Sequence, residues 1–249
     1  MARPHDYQVA VQRFFLPPAA FAGSKVTFTD EQAHQMTRVL RLRPGDQVMA
    51  LDGAGLQHTV TLETVTQGLT TGAIAGTEPA PGEPRVGITL YQALLKGDRW
   101  DYVLQKGTEA GITRFVPVIA RRCIVQAEGP VRRQRWQRIL TEAAEQSERG
   151  RVPTLSDPML LADALRAAGG LRLFAYERGV TPLRAALARR RPKEVSVFVG
   201  PEGGFEREEA AAATAAGAQV ISVGPRILRA ETAGPALAFA ILYARGDFG

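Results

Sequence analysis

The residues best suited to chemistry follow three apolar runs in the second half of the chain. Residues 200–205 read GPEGGF, and their glycines permit positive φ and a close approach of the backbone to a ligand. Residues 223–233 read VGPRILRAETA and hold two arginines and a glutamate between an apolar run and an apolar helix. Tyr176 and Glu177 follow the third run. If the runs are parallel strands, their carboxyl ends share one edge of a sheet, so these segments predict one shared ligand site.

The ligand predicted for this site is not a nucleotide phosphate. The phosphate-binding patterns GxGxxG and GxxxxGK[ST] do not occur in the chain. The helix expected after the glycine-rich segment opens with Glu206, Glu208 and Glu209, whose charges would repel phosphate. Glu208 and Glu209 are sufficiently explained as charges that stabilise a helix N-terminus. We therefore expect a neutral or cationic ligand.

The charged residues within 223–233 have a catalytic and a structural interpretation. Charges placed between buried elements lower stability unless they are paired, so a function would account for their presence. Alternatively, an ion pair between Arg229 and Glu231, or between Arg226 and Glu202, holds the loops together. The residue types leave both interpretations open.

Two domains are predicted to position these segments, separated by the proline-rich linker 78–85, EPAPGEPR. Before the linker, short strand-like runs alternate with turns around one helix, which predicts a small β-barrel. This helix should begin at Thr29 or Asp30. Its apolar positions are Ala33, Met36, Val39 and Leu40. Its exposed face carries His34, Arg38 and Arg41.

After the linker, strand-like runs alternate with helices, which predicts an α/β domain with a parallel sheet. The runs are 86–94, 114–119, 171–175, 195–199 and 219–223. Asp98 should cap the first helix, and Pro130 should open the next. The last helix, at about residues 232–244, is apolar on nearly all sides and should be buried.

Composition describes a globular protein with a basic excess. The chain has 249 residues, of which 45% are hydrophobic and 22% charged, and its net charge is +6. The excess lies in the middle and C-terminal regions, where it would attract a polyanion such as RNA.

With a single cysteine, Cys123, and three histidines, the chain has no disulfide framework and no zinc motif, so we expect metal-free chemistry. No apolar run reaches the roughly 20 residues of a membrane span, and residues 1–10 lack the apolar core of a signal peptide, so we expect a cytoplasmic protein.

Six segments in order along the chain carry a family resemblance. They are RFFL (13–16), HQMTRVLRLRPGD (34–46), QALLKGDRWDYVLQKGTEAGI (92–112), EAAEQSERGRVP (142–153), FVGPEGGF (198–205) and VGPRILRAETA (223–233). Together they resemble the RsmE family, S-adenosylmethionine-dependent methyltransferases that modify N3 of a uridine in 16S ribosomal RNA. The resemblance covers essentially the whole chain.

The resemblance implies a fold, a cofactor and an assembly. Residues 1–77 would form a PUA-like β-barrel, and residues 86–249 a SPOUT domain with a deep trefoil knot, working as a homodimer. S-adenosylmethionine would lie bent among the knot loops. The residues expected to hold it are Tyr176, Glu177, Val199, Gly200, Pro201, Gly203, Gly204, Val223, Gly224, Ile227, Leu228, Thr232 and Ala233.

The implied reaction gives roles to the charged residues. Uridine N3 carries a proton between two carbonyls and is a poor nucleophile until that proton leaves. We expect Arg229 to stabilise the negative charge that develops on the carbonyls, and Glu231 to orient Arg229. The general base stays open among Glu202, Glu231 and water. The residues expected to contact RNA are Arg13, Arg38, Arg41, Lys96, Arg121, Arg122 and Arg226.

Two alternative functions stay open at this stage. An enzyme of the same fold can methylate another RNA target, such as a ribose 2′-OH or a tRNA base. A non-catalytic dimer can bind RNA through the barrel. The favoured partner is 16S rRNA within the assembled small ribosomal subunit.

Overall fold

The computed structural model describes residues 11–124, 130–188 and 191–248, and the chain divides into two compact units. One unit holds residues 11–83 together with Ala144–Arg151, and the other holds Pro84–Ala143 and the described residues from 152 onward. The first unit therefore includes a segment from the middle of the sequence, which the linear division into 1–77, 78–85 and 86–249 does not contain. The expectation for residues 1–10 lies outside the described residues.

The first unit is built on a six-stranded sheet. Its strands are β1 (Arg13–Phe15), β2 (Phe21–Ala22), β3 (Lys25–Thr27), β4 (Gln47–Leu51), β5 (Leu56–Val65) and β6 (Thr70–Pro79). They lie in the order β1-β4-β5-β6-β3-β2, and every pair is antiparallel except β1 with β4. A 3-10 turn, Pro18–Ala20, separates β1 from β2. Buried side chains such as Phe14, Val48 and Val60 form the core of this unit. Because β6 continues to Pro79, the start of the predicted linker is strand.

The helix of the first unit begins as predicted and ends differently. Thr29 caps α1 (Asp30–His34), and its side-chain oxygen accepts a hydrogen bond from the backbone N–H of Gln32. The next turn, Gln35–Val39, is π-helical, and the N–H of Leu40 donates to the carbonyl of Gln35, five residues earlier. This wider turn rotates Val39 away from the core, so that Val39 is 69% exposed rather than part of the apolar face.

The second unit contains a parallel sheet, as predicted from the alternating pattern. Its strands are β7 (Gly87–Ala93), β8 (Arg114–Ile119), β9 (Thr154–Leu155), β10 (Met159–Leu160), β11 (Leu171–Ala175), β12 (Thr181–Pro182), β13 (Glu194–Val199) and β14 (Gln219–Ser222). The order is β10-β8-β7-β13-β11-β14-β12, with β9 beside β8. All these pairs are parallel. The four central strands β7, β13, β11 and β14 are therefore neighbours whose carboxyl ends point the same way.

Helices cover both faces of this sheet. They are α2 (Arg99–Glu109), α3 (Pro130–Gln146), α4 (Leu161–Ala167), α5 (Leu183–Ala188), α6 (Arg207–Ala215) and α7 (Ala230–Ala244). One apolar core includes Trp100 of α2 and Leu237 of α7, and a second includes Leu165 of α4 and Ala213 of α6. Strands covered on both faces read as continuous apolar runs, which explains why the runs in the sequence located them.

Two predictions about helix ends and faces need correction. Asp98 stands at the N-cap of α2, but its side chain makes no capping hydrogen bond. The last helix begins at Ala230, and it is not buried on all sides, because Phe239 is 45% and Tyr243 76% exposed. Its buried face approaches β7 closely, since a Cβ at Gly234 would lie 2.8 Å from Cδ2 of Leu90. No helix in the described part of the chain is long and apolar enough to span a membrane.

Candidate active site

The segments that follow β11, β13 and β14 meet in one cleft of about 690 Å³, the main cleft. Because β11 lies between β13 and β14, the carboxyl ends of these strands are adjacent, and the residues after them converge. All but one of the predicted cofactor residues line this cleft: Tyr176, Glu177, Val199, Gly200, Pro201, Gly203, Gly204, Val223, Gly224, Ile227, Leu228 and Ala233. Thr232 lies instead in a neighbouring cavity. The sequence pattern therefore located the cleft and most of its lining.

The glycines of the cleft are required by its geometry. Gly204 has φ +70°, and a Cβ there would lie 2.9 Å from Oε2 of Glu177. A Cβ at Gly200 would lie 3.1 Å from the ring of Phe205. The buried amide of Gln92 donates to the carbonyl of Gly200, which fixes the turn after β13 to β7. Larger residues at 200 and 204 would therefore close the cleft or displace its walls.

A network of four charged side chains forms one wall of the main cleft. Glu202 accepts hydrogen bonds from the backbone N–H of Lys96 at 3.0 Å and from Nη1 of Arg99 at 2.7 Å. Nε of Arg99 lies 3.9 Å, and Nη1 of Arg229 4.0 Å, from the same Oε1 of Glu231. The predicted pairing of Arg229 with Glu231 is thus present as a long contact.

The predicted partner of Glu202 is wrong, because the guanidinium bound to it belongs to Arg99 and not to Arg226. Arg99 is also the cleft residue that the sequence reasoning missed. The signal that could have found it is its position just after β7, since β7 ends at the same edge of the sheet as the other three strands.

The environment of Glu202 decides its protonation state. Burial alone would raise the pKa of this carboxyl, but the hydrogen bonds from backbone N–H groups and from Arg99 outweigh it, so the pKa is lowered from 4.5. Glu202 is therefore ionised at neutral pH and is a poor proton acceptor. This disfavours one of the candidates considered for the general base.

A second, shallower cavity of about 510 Å³ adjoins the main cleft, and we call it the side cavity. It is lined by Lys96, Asp98, Arg99, Tyr102, Arg229, Glu231 and Thr232. Three of these residues, Arg99, Arg229 and Glu231, also line the main cleft. These three side chains of the charged network are therefore the wall that the two cavities share, and Glu202 lines the main cleft alone.

The basic residues predicted to contact RNA occupy different settings. Nη1 of Arg13 donates to Gln57 at 2.7 Å, and Nη2 pairs with Glu148 at 3.0 Å, so its side chain is only 12% exposed. These contacts hold Arg13 within the first unit and leave little of its side chain open to RNA. Arg38 is exposed on the π-helical turn and Arg41 just after it, where Arg41 has φ +55°. Lys96 is exposed in the side cavity, and Arg226 is exposed in the main cleft.

Arg121 and Arg122 lie against the N-terminus of α6. Nη1 of Arg121 bonds Oε2 of Glu206 at 3.0 Å, and this bond raises the pKa of Arg121. Nη1 of Arg122 donates to the carbonyl of Gly203 at 2.7 Å, so Arg122 supports the glycine-rich turn. Glu209 completes a capping box with Glu206, which agrees with a helix-stabilising role for this acid. Both arginines keep about half or more of their side chains exposed.

The basic run on α3 is largely neutralised by neighbouring acids. Arg133 pairs with Asp157, Arg135 pairs with Asp101, and Nε of Arg138 lies 3.7 Å from Glu142. These contacts account for the run as a paired, charged helix face. Burial raises the pKa of the Cys123 thiol, which counts against a nucleophilic role. Among residues 11–124, 130–188 and 191–248, no three His, Cys, Asp or Glu side chains are grouped to hold a metal ion.

Comparisons with family models and curated proteins agree over nearly the whole chain. A family model described as RNA methyltransferase domain matches residues 82–242, and one described as RNA methyltransferase PUA domain matches residues 28–66. Ribosomal RNA small subunit methyltransferase E of Synechocystis sp. is 35% identical, over 93% of this chain and 77% of that protein. The protein of the same name from Bacillus subtilis is 30% identical, over 83% of this chain and 85% of its own length.

Solved structures share the fold of both units. A ribosomal RNA small subunit methyltransferase E from Neisseria gonorrhoeae bound to S-adenosylmethionine matches with a TM-score of 0.86 at 34% identity, covering 96% of this chain and all of that one. A Legionella pneumophila methyltransferase with bound S-adenosylmethionine matches with a TM-score of 0.87 at 29% identity, covering 95% of this chain and 98% of that one. The protein is thus a mixed α/β chain with a PUA domain and a methyltransferase domain. It belongs to the RsmE family, whose curated members are the ribosomal RNA small subunit methyltransferases E.

Proposed function

We propose that this protein transfers a methyl group from S-adenosylmethionine to N3 of a uridine in 16S ribosomal RNA of the small subunit. The observation that carries the proposal is the convergence of the three predicted loops on one cleft that is bounded by Arg229 and Glu231. Family membership supports the reaction class. The position of Arg229 and Glu231 at the cleft wall supports uridine as the methylated nucleoside.

The main cleft fits the chemistry of S-adenosylmethionine. Its volume of about 690 Å³ lies in the range of pockets that enclose small molecules. Glu177 and Glu202 lie in its lining, and their negative charge suits a sulfonium cation. In this proposal, backbone groups of Val199, Gly200, Val223, Gly224 and Leu228 hold adenine and ribose, as the resemblance implies, and Gly203 and Gly204 leave room for the cofactor. The cofactor supplies an electrophilic methyl group.

The chain's own residues then act on the uridine. The N3–H bond breaks, and its proton leaves for an acceptor and finally for solvent. The new bond from N3 to the methyl carbon would replace the carbon–sulfur bond of the sulfonium, with a neutral thioether as the leaving group. Arg229 stabilises the negative charge that spreads to the uracil carbonyls, and Glu231 orients it. Holding N3 in line with the methyl carbon is the larger part of the catalysis. With Glu202 disfavoured by its lowered pKa, Glu231 or water accepts the proton.

We also propose that the second unit is a SPOUT domain with a trefoil knot, as the resemblance implies. The strand order supports this arrangement, because β13 pairs with β7 and β11, β14 lies beyond β11, and α7 returns to pack on β7 and β13. Such a path lets the chain after β14 pass back across the sheet.

The active assembly in this proposal is a homodimer. The exposed face of α7 carries Phe239 and Tyr243, and the ring of Phe239 lies 5.6 Å from that of Phe248. These aromatic side chains form an apolar patch suited to burial against a second copy.

RNA would be held by exposed arginines of both units, chiefly Arg38 and Arg41 in the first and Arg121 and Arg122 in the second. This substrate places the enzyme in the cytoplasm with the ribosomal subunits.

Transfer of labelled methyl groups to ribosomal subunits tests the proposed substrate. The protein is incubated with labelled S-adenosylmethionine and with small subunits that lack the modification, and large subunits serve as the control. We expect label in the RNA of the small subunit alone. Binding of the cofactor without transfer to small subunits would assign the protein to another RNA or to a non-catalytic role.

A further inference from the structure

We infer that Arg99, Glu231 and Arg229 form a hydrogen-bonding array that reads the edge of the target uracil, and that the side cavity receives this base. This inference rests on the proposed function and adds to it a binding pocket and a specificity residue, Arg99. The array is the wall shared by the main cleft and the side cavity.

The position of the side cavity meets the geometric demand of methyl transfer. A methyl donor and its acceptor atom must lie almost in contact, so their two pockets must open onto each other. The side cavity meets the main cleft at Arg99, Arg229 and Glu231. Its volume of about 510 Å³ is in the range of pockets that hold small molecules. A base in the side cavity would therefore contact side chains that also line the proposed cofactor site.

The order of charges in the array matches uracil. The edge of uracil presents an accepting O2, a donating N3–H and an accepting O4. The array presents a guanidinium donor, a carboxylate acceptor and a second guanidinium donor. Cytosine has an accepting N3 and a donating amino group at position 4, so it meets the array with mismatched groups at two of three positions. Polar mismatches of this kind give strong discrimination once the bound base excludes water from the array.

The distances within the array leave its groups available to a ligand. Both guanidinium groups approach Oε1 of Glu231 at 3.9–4.0 Å, which is beyond hydrogen-bond reach. The side chain of Glu231 is only 15% exposed, whereas Arg99 is 47% and Arg229 83% exposed. Glu202 holds Nη1 of Arg99 at 2.7 Å and so fixes the guanidinium on one side. That bond uses one of the five N–H donors of the group.

The remaining lining of the side cavity suits a nucleotide. Tyr102 lies three residues after Arg99 on α2, one helical turn away on the same face, and its side chain is 46% exposed. Aromatic rings stack on bases that are splayed out of an RNA strand. Lys96 precedes α2 and supplies a cation for the phosphate. Asp98, at the rim, is 94% exposed and has room to turn toward solvent.

Base discrimination by variants tests the array. Two substrates are prepared, small subunits with uridine and small subunits with cytidine at the mapped target position. Methylation of each substrate is measured with the wild type, with Arg99→Lys and with Glu231→Gln. Arg138→Lys is the matched control, because Arg138 is likewise an exposed arginine with a glutamate partner, on α3 away from both cavities. Turnover and KM for the subunits are measured together with the Kd for S-adenosylmethionine. The Kd reports both folding and the state of the main cleft.

We expect Arg99→Lys to lower kcat/KM for the uridine substrate about 30-fold and to change the cofactor Kd less than about threefold, because lysine keeps the charge beside Glu202 but loses the planar fork. Glu231→Gln should lower the preference for uridine over cytidine by about tenfold or more, because an amide both donates and accepts. Arg138→Lys should change neither quantity.

Unchanged discrimination in both variants would overturn the array, and a loss confined to cofactor affinity would show that Arg99 only supports the main cleft. Discrimination is also measured without turnover, from the equilibrium binding of each protein variant to small subunits that carry uridine or cytidine at the target position. An inactive variant is therefore still informative. Failure of the wild type to methylate uridine at all would instead refute the proposed function on which the array rests.

Discussion

Glu231 lies between two guanidinium groups at the start of α7 and is less exposed than Glu202 on the same wall of the cleft. The sequence located Arg229 and Glu231 because they directly follow a predicted strand. It could not pair Glu202 correctly, because its partner Arg99 lies 103 residues away and only the fold brings the two together. Arg226, which is nearer to Glu202 in sequence, also lines the cleft but is not the arginine that pairs with Glu202.

Replacing Arg229 tests charge stabilisation at the uracil carbonyls. Arg229→Ala should lower kcat about 100-fold, the usual effect of losing one oxyanion donor, because negative charge on the base loses its nearest exposed cation. The Kd for S-adenosylmethionine should stay within about threefold, measured by calorimetry alongside steady-state methyl transfer. Unchanged turnover would remove Arg229 from the mechanism.

The pH dependence of stability tests the environment of Glu202. Its pKa is lowered from 4.5 in the folded chain, so its carboxylate stabilises the fold above that pH and loses this effect as the pH falls through the lowered value. Wild type should exceed Glu202→Gln in unfolding free energy by up to about 1 kcal/mol at pH 7, a modest value because the group is partly exposed. Denaturant unfolding at a series of pH values from 7 to about 3 measures the difference. A difference that persists unchanged to the acid end would contradict the lowered pKa.

At the scale of elements, the apolar runs predicted the central strands of the second unit because those strands are buried on both faces. The two-residue strands β9, β10 and β12 were missed, since so short a pairing leaves no periodic pattern. The π-helical turn after α1 was also missed, because apolar residues at ordinary helical spacing do not reveal an added residue in a turn.

In the proposed site, the glycine-rich turn after β13 is the element whose shape should matter most for cofactor binding. Gly204→Ala should weaken S-adenosylmethionine binding by about tenfold or more, because its Cβ would lie 2.9 Å from Oε2 of Glu177 on the cleft wall. Gly217→Ala is the matched control, since Gly217 also has positive φ, at +82°, but open space around its Cβ position. Both variants should lose about 1 kcal/mol of stability from backbone strain.

Calorimetric titration with the cofactor and thermal unfolding separate the two effects in these variants. Equal cofactor affinity in Gly204→Ala and Gly217→Ala would show that the turn does not shape the binding site.

At the scale of the whole molecule, the division of the chain was only partly readable. The proline-rich segment 78–85 contains the point between Glu83 and Pro84 where the two compact units divide, because prolines and glycine interrupt the strand pattern there. Ala144–Arg151 joins the first unit through contacts such as that of Arg149 with Glu83, at 3.1 Å. Such long-range contacts leave no signal in the local sequence. The sequence also did not predict the exposed aromatic face of α7. The apolar pattern of a helix is the same whether the rest of the chain or a second copy covers it.

The oligomeric state tests the apolar patch on α7. The double variant Phe239→Asp with Tyr243→Asp should sediment as a monomer while the wild type sediments as a dimer, because burying two carboxylates in an apolar interface is strongly unfavourable. Val180→Asp is the control, since Val180 is 90% exposed and lies outside α7. A double variant that stays dimeric in analytical ultracentrifugation would place the interface elsewhere.

The identity of the methylated nucleoside tests the central claim most directly. RNA from small subunits treated with the protein and S-adenosylmethionine is digested to nucleosides, and the product is separated and identified by mass spectrometry against N3-methyluridine, C5-methyluridine and 2′-O-methyluridine standards. The predicted result is N3-methyluridine as the sole new product, formed about 100-fold more slowly in a reaction with Arg229→Ala. A methyl group on ribose, on C5 or on another base would contradict the placement of uridine N3 at the charged wall of the cleft.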